Sequence, residues 1–244
     1  MLCCLCPQTV AHQLQITPTA IQQLVCHSPN LTDLRVFHSS LSDSVLGALA
    51  EHCAKSLRHL SVLAKRQELI AANDLSDAAW LHLVDSVQRE TSKNIDNSAN
   101  ESDGGLKVSL VFDYTCPINK IRAICKPSVP VHACNIESYT IADQIMRFIA
   151  EMYSTTLRRV TIRSQPDNVL EQALVEFVDV CEHLEHLHVL CPLKTPTISM
   201  IQAKRPNLTR PGCSTLSIQD EQFCPWLYDR VLDEIRTNAG WPRQ

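Results

Sequence analysis

The feature that most constrains this chain is a spacing of apolar residues that returns along its length. Leu31, Leu34 and Val36 form a Leu-x-x-Leu-x-Val skeleton within SPNLTDLRV. The skeleton returns as Leu57, Leu60 and Val62, as Leu157, Val160 and Ile162, and as Leu184, Leu187 and Val189. The first step is 26 residues and the last is 27. The segments ahead of these strands also align. Leu41-Ser42-Asp43 opens a stretch with Leu46, Leu49 and Cys53 on one helical face, and Leu75-Ser76-Asp77 opens one with Trp80, Leu83 and Val87. A third runs from Ile141 through Asp143 to Met146, Ile149 and Tyr153, so residues 41–62 and 141–162 match at a constant offset of 100. Ser or Asp just before each run predicts an N-cap, whose side-chain oxygen accepts from an orphan helical N–H.

A unit of this kind is one strand and one helix, and neither buries its apolar face alone. Stacking the units lays the strands side by side. The expected fold is α/β, a leucine-rich-repeat solenoid: a short horseshoe with parallel strands on the concave face and helices outside. Strands are expected near 34–37, 60–63, 107–112, 129–133, 160–163 and 187–190, with an earlier one at Leu14-Gln15-Ile16. Leu106–Phe112 alternates well but aligns with the skeleton in more than one way. Pro130, which has no N–H to give a ladder, weakens a central strand at 129–133. Residues 89–105, RETSKNIDNSANESDGG, are polar without apolar period and read as a mobile loop inserted between helix and strand. Pro225 begins a stretch with Leu227, Val231 and Ile235 on one side, which predicts a capping helix near 225–237; a partner-binding helix is the alternative. The expected organisation is a disordered N-terminal segment 1–13, a repeat domain 14–210 and a C-terminal capping segment 211–244.

Composition removes several classes. Five glycines cannot write GxGxxG or GxxxxGK[ST], so a phosphate-cradling nucleotide enzyme is excluded. A net charge of -4, from 22 basic and 26 acidic residues, gives no basic surface for nucleic acid. No apolar run is long enough to span a membrane. The start of the chain, Met1–Gln15, lacks a positive region and a long apolar core, so no secretory signal is read. Its 12 cysteines are then expected to stay reduced, in cytoplasm or nucleus. Cys3, Cys4 and Cys6 invite acylation, but no polybasic patch accompanies them and Leu2 stands where myristoylation needs glycine. No local nucleophile signature is present, so the chain is read as a binding protein with no catalytic residue and no cofactor.

The repeats carry a resemblance. SPNLTDLRV followed by a helix and SLRHLSV resembles the leucine-rich repeats of F-box proteins. So does LSDAAWLHLVDSVQ followed, after the polar insertion, by GGLKVSLVFDY and KPSVPVHACNI. That order resembles the repeat region of F-box-only proteins, the substrate receptors of SCF ubiquitin ligases, over residues 14–210. The resemblance implies that the repeats hold a protein substrate for ubiquitination, while an N-terminal F-box docks on a Skp-type adaptor and cullin. No Leu-Pro-x-Glu-hydrophobic F-box precedes the repeats, and 13 residues are too few to hold one, so adaptor and cullin are expected only with an F-box upstream. The rival readings are a free-standing repeat scaffold or inhibitor, resembling ribonuclease inhibitors, and a regulator of a small GTPase.

Strand alternation names the candidate substrate contacts on the concave face. These are Asp33, Arg35 and Phe37 on one strand, then His59, Ser61 and Leu63 on the next. Arg159, Thr161 and Arg163 follow, and His186 and His188 after them. Arg159 and Arg163, near Arg158, are candidates to grip an acidic or phosphorylated motif, because guanidinium forks match such oxygens. The run from Cys181 to Cys191, with His183, His186 and His188, contains zinc-ligand types. Its two strand histidines point away from the helix-end Cys181, however, and Cys181 aligns with the core position of Cys53, so no metal is assigned.

Overall fold

The apolar skeleton becomes the covered side of one parallel sheet. The structure, a computed structural model, describes residues 16–65, 75–94, 105–209 and 215–218. Seven strands stand there in chain order: β1 (Asp33–Phe37), β2 (His59–Ala64), β3 (Lys107–Phe112), β4 (Val131–Glu137), β5 (Arg159–Arg163), β6 (His186–Leu190) and β7 (Thr215–Ile218). Each pairs in parallel with its chain neighbours, and β1 and β7 form the two edges. α1 (Pro18–Cys26) precedes β1. The crossovers are α2 (Asp43–Ala48) with a π-helical turn over Leu49–Cys53, α3 (Asp77–Asn94), α4 (Ile118–Ile124), α5 (Ala142–Tyr153), α6 (Asn168–Val180) and α7 (Thr195–Lys204).

In β1, β2, β3, β5 and β6 alternate strand residues are buried and the residues between them stay half-buried or exposed. The buried set joins the inner faces of the helices in one apolar core, which includes Leu46, Leu49, Trp80, Ile149 and Phe177. Successive helices pack on each other, α1 on α2, α2 on α3, α4 on α5, α5 on α6 and α6 on α7. A doubly wound sheet has helices on both faces and a strand order that reverses. Here the order never reverses, and among the described residues no helix covers the second face.

The repeat spacing survives in three dimensions. Leu34 pairs with Leu60, 26 residues on, Cys134 with Val160, also 26 on, and Val160 with Leu187, 27 on. Side chains tie neighbouring units at the same spacing. Ser56 donates to the Leu31 carbonyl at 2.9 Å, Tyr153 to the Lys126 carbonyl at 3.0 Å, and Arg205 Nε to the Val178 carbonyl at 2.8 Å. Ser42 and Ser76 cap α2 and α3 as expected, accepting from Val45 and Ala79 at 3.3 and 3.1 Å. At α5 the expectation fails. Ile141 holds the N-cap position and Asp143 lies inside the first turn, with the Ser138 hydroxyl accepting from Ile141 at 3.3 Å.

The ambiguity of β3 has a physical cause. Its inward residues are Val108, Leu110 and Phe112. Val108 and Leu110 match Leu60 and Val62, whereas Leu110 and Phe112 match Cys134 and Ile136, which continue to Val160 and Ile162. The skeleton therefore steps by one pleat across β3, and both alignments are used. Four further differences stand out. β4 begins at Val131, not 129, leaving Pro130 just outside the strand. α3 runs through Asn94, so the expected loop at 89–105 is helical in its first part. β7 adds to β6 within the stretch expected to be only a cap. Ile16 is exposed and outside any strand. Residues 1–15, with the proposed Leu14-Gln15 strand and Cys3, Cys4 and Cys6, and the expected helix 225–237 lie outside the described residues.

Leu187 is fully buried between β5 and β7. Leu187→Ala should lower the unfolding free energy by about 2–5 kcal/mol, and Ser61→Ala on the open face should change it by less than about 0.5 kcal/mol. Urea unfolding followed by circular dichroism measures both.

Candidate binding face

Parallel pairing arranges the open face as a grid. One row crosses the sheet as Arg35, Ser61, Ser109, Ala133, Arg159 and His186. The next crosses as Phe37, Leu63, Val111, Asn135, Thr161 and His188. Asp33, His59 and Lys107 begin a row at one margin, and Glu137, Arg163 and Leu190 lie in one at the other. All eleven residues singled out in the sequence thus lie on the open side. With strands about 4.8 Å apart, six strands span roughly 24 Å.

Their charges are not equally available. His59 Nδ1 meets Asp33 Oδ1 at 2.9 Å, a cross-strand pair with both members exposed. Arg163 Nη1 lies 3.6 Å from Glu137 Oε1. Arg158 donates to the His183 carbonyl at 3.2 Å and stands 4.0 Å from Glu185. The expected trio of Arg158, Arg159 and Arg163 therefore does not converge: two of its members are held by other groups. Arg159 is exposed and forms no hydrogen bond or ion pair among the described residues. The Nε2 of His188 is enclosed and also lacks a hydrogen-bond partner among them.

Two residues absent from the expected set join Arg159. Lys107 opens β3 on the open side. His132 reaches that side through a β-bulge: Val108 pairs with Val131 but Ser109 pairs with Ala133, so His132 is the extra residue. Val131 and Cys134 point inward, and both His132 and Ala133 stay half-buried between them. The His132 carbonyl accepts from the Arg158 amide at 2.9 Å. Partial burial pushes the His132 imidazole below its ordinary value of 6.5. The charges of Lys107, Arg159 and Arg158 push the same way, and only Glu185 opposes them. Burial is the larger cause, and the three cations near the imidazole add to it.

The other half of the face is apolar. Phe37, Leu63 and Val111 are adjacent in register, Phe37 is 37% exposed, and the Lys65 ammonium stands 5.3 Å from its ring centroid.

The zinc-type residues separate onto opposite sides. Cys181 and Cys191 are buried under the sheet, where burial pushes their thiols up to about 12 and about 11. His186 and His188 lie on the open side. Among the described residues no three His, Cys, Asp or Glu side chains converge on a metal-sized point. Burial likewise pushes the Cys125 thiol to about 12, which leaves little thiolate for nucleophilic chemistry. No helix among the described residues is long and apolar enough to cross a membrane. No model of a known protein family matches the chain, and no curated protein matches it.

The depressed His132 value fixes the sign of a pH effect. The unfolded imidazole takes a proton near 6.5 and the folded one only at lower pH. Stability is full above 6.5 and falls as pH drops through 6.5 towards the folded value. His132→Gln should therefore lose less stability than the parent between about pH 7.5 and about pH 5.5. Urea unfolding at the two pH values gives the comparison, and equal losses would show that His132 carries none of it.

Proposed function

We propose that the chain is a leucine-rich-repeat solenoid whose open sheet face holds a protein substrate for an SCF-type ubiquitin ligase, with the chemistry carried by other subunits. The observation that carries the binding role is the uncovered face. Parallel sheets ordinarily have both faces covered. Here, among the described residues, strands β1–β6 leave one side-chain face without helices, lined by half-buried and exposed apolar and charged residues. Strands in chain order, with helices packed in the same order, support the solenoid reading. The link to ubiquitination rests on the resemblance of SPNLTDLRV, LSDAAWLHLVDSVQ and KPSVPVHACNI to F-box-only repeats. The mechanism is proximity: a receptor that fixes the substrate near a charged ubiquitin carrier turns an encounter between free molecules into one within a complex.

Purification of the tagged protein from cells tests both parts. A substrate should co-purify, and a Skp-type adaptor and a cullin should accompany it where an F-box precedes the repeats. Ser61→Arg combined with Thr161→Arg should release the substrate and retain the adaptor. A partner released by those substitutions, with no adaptor or cullin, would leave a free-standing scaffold. A partner retained despite them would remove the binding role from this face.

A further inference from the structure

We infer that the open face grips an extended segment of the protein partner through two carboxylate side chains six residues apart, one taken by Arg35 and the other by Arg159, with the chain between them lying over Ser61, Ser109 and Ala133. This rests on the reading of the open face as a protein-binding surface and names the chemistry and spacing of what binds there.

Both arginines belong to one row of the sheet. Register carries that row from Arg35 through Ser61, Ser109 and Ala133 to Arg159, across β1 to β5. Four strand spacings of about 4.8 Å put its ends roughly 19 Å apart. Arg35 and Arg159 are both exposed, and neither forms a hydrogen bond or ion pair among the described residues. Between them stand three short side chains, all half-buried. The bulge supplies the shortest. Strict alternation after Val131 would turn Ala133 inward, and the extra residue His132 keeps it on the open side.

Neighbouring rows wall this line. Asp33 and His59 stand on one side, held there by their 2.9 Å pair, and Phe37, Leu63 and Val111 stand on the other. Residues on one face of a strand are two positions apart, about 6.6 Å, so about 13 Å separates the walls before their side chains are counted. A helix with its side chains is about 10–12 Å across, whereas an extended chain needs about 4.8 Å beside its neighbour. The extended chain is the one that fits. Its N–H and C=O groups arrive without a ladder partner. The Ser61 and Ser109 hydroxyls form no hydrogen bond among the described residues and lie beneath it to answer two of those groups.

Charge decides what sits at the two ends. The acids nearest the arginines are already engaged: Asp33, two residues from Arg35, is paired with His59, and Glu185 stands 4.0 Å from Arg158. Arg163 is likewise held beside Glu137. Arg35 and Arg159 stand four strands apart, so each offers a single guanidinium fork, which matches one carboxylate through two parallel N–H···O bonds. An extended chain rises about 3.3 Å per residue, so six residues cover roughly 20 Å. Side chains an even number apart point to the same side of a strand. A spacing of five would turn one carboxylate away from the sheet.

The test is fluorescence anisotropy with the intact protein and labelled peptides of serine and alanine that carry two glutamates. One peptide places the glutamates six residues apart and a second five apart. A third carries glutamines at the spacing of six, and a fourth phosphoserines. The glutamate peptide spaced by six should bind about tenfold tighter than the one spaced by five, which engages one arginine at a time, and about a hundredfold tighter than the glutamine peptide. Arg35→Gln and Arg159→Gln should each remove about tenfold of that affinity and leave the glutamine peptide unaffected. Urea unfolding of each variant separates lost binding from lost folding. Arg35→Lys and Arg159→Lys, which keep the charge and remove the fork, should give intermediate affinity. Equal binding of the glutamate and glutamine peptides, or binding indifferent to either arginine substitution in a folded protein, overturns the inference. Equal binding at spacings of five and six overturns the two-ended grip. Binding of the phosphoserine peptide more than about tenfold tighter than the glutamate peptide overturns the carboxylate assignment. If the inference fails while Ser61→Arg with Thr161→Arg still releases a co-purified partner, the face remains a binding surface for a different chemistry.

Discussion

The inward row Val36, Val62, Leu110, Cys134, Val160 and Leu187 is the constraint on which the rest of the structure depends. Each of these side chains is buried. Full burial of one such aliphatic side chain is worth about 1.5–3 kcal/mol, so a slip of one residue in any strand would expose several at once. Because side chains alternate along a strand, holding this row under the helices also fixes what faces outward. Arg35, Ser61, Ser109, Arg159 and His186 occupy their places on the open face as a consequence of the core.

The same constraint explains where the face becomes irregular. β3 carries three inward residues and belongs to two alignments of the repeat, so the skeleton moves by one pleat at the centre of the sheet. The bulge next to it absorbs one residue, keeps Val131 and Cys134 buried and leaves His132 outside. Lys107 and Arg159 flank His132 at this irregular place. Regular repeats on either side instead pair their outward charges, Asp33 with His59 and Glu137 with Arg163. Pairs of that kind on an exposed sheet contribute little to stability and leave little charge for a partner.

Much of the architecture was legible because burial and period coincide. β1, β2, β5 and β6 follow from the recurring apolar skeleton alone, and the eleven outward residues follow from alternation. The bulge was not legible. It depends on the pairing of β4 with β3 and β5, and Val-His-Ala-Cys has no local signature for it. Lys107 could be placed outward by alternation, but its meeting with His132 and Arg159 could not. The partner of Arg163 was hidden for the same reason, since Glu137 joins it only once β4 and β5 are in register. Polarity misled the reading of 89–94. There α3 continues beyond the core, with Thr91 donating back to the Val87 carbonyl at 2.9 Å and Lys93 paired with Glu90, so no apolar residue is needed to extend it. β7 escaped because its four residues follow no Leu-x-x-Leu spacing.

The central claim is that the open face of the sheet, and not the helical surface, engages a partner. Cysteine footprinting in the purified complex measures this directly. Single cysteines at Ser61, Ser109 and Thr161 on the face, and at Leu81 and Met200 on exposed helix positions, are labelled with maleimide in the free and bound states and read by mass spectrometry. The account predicts that the partner blocks the three sheet positions and leaves the two helix positions reactive. Blocked helix positions with reactive sheet positions would contradict it.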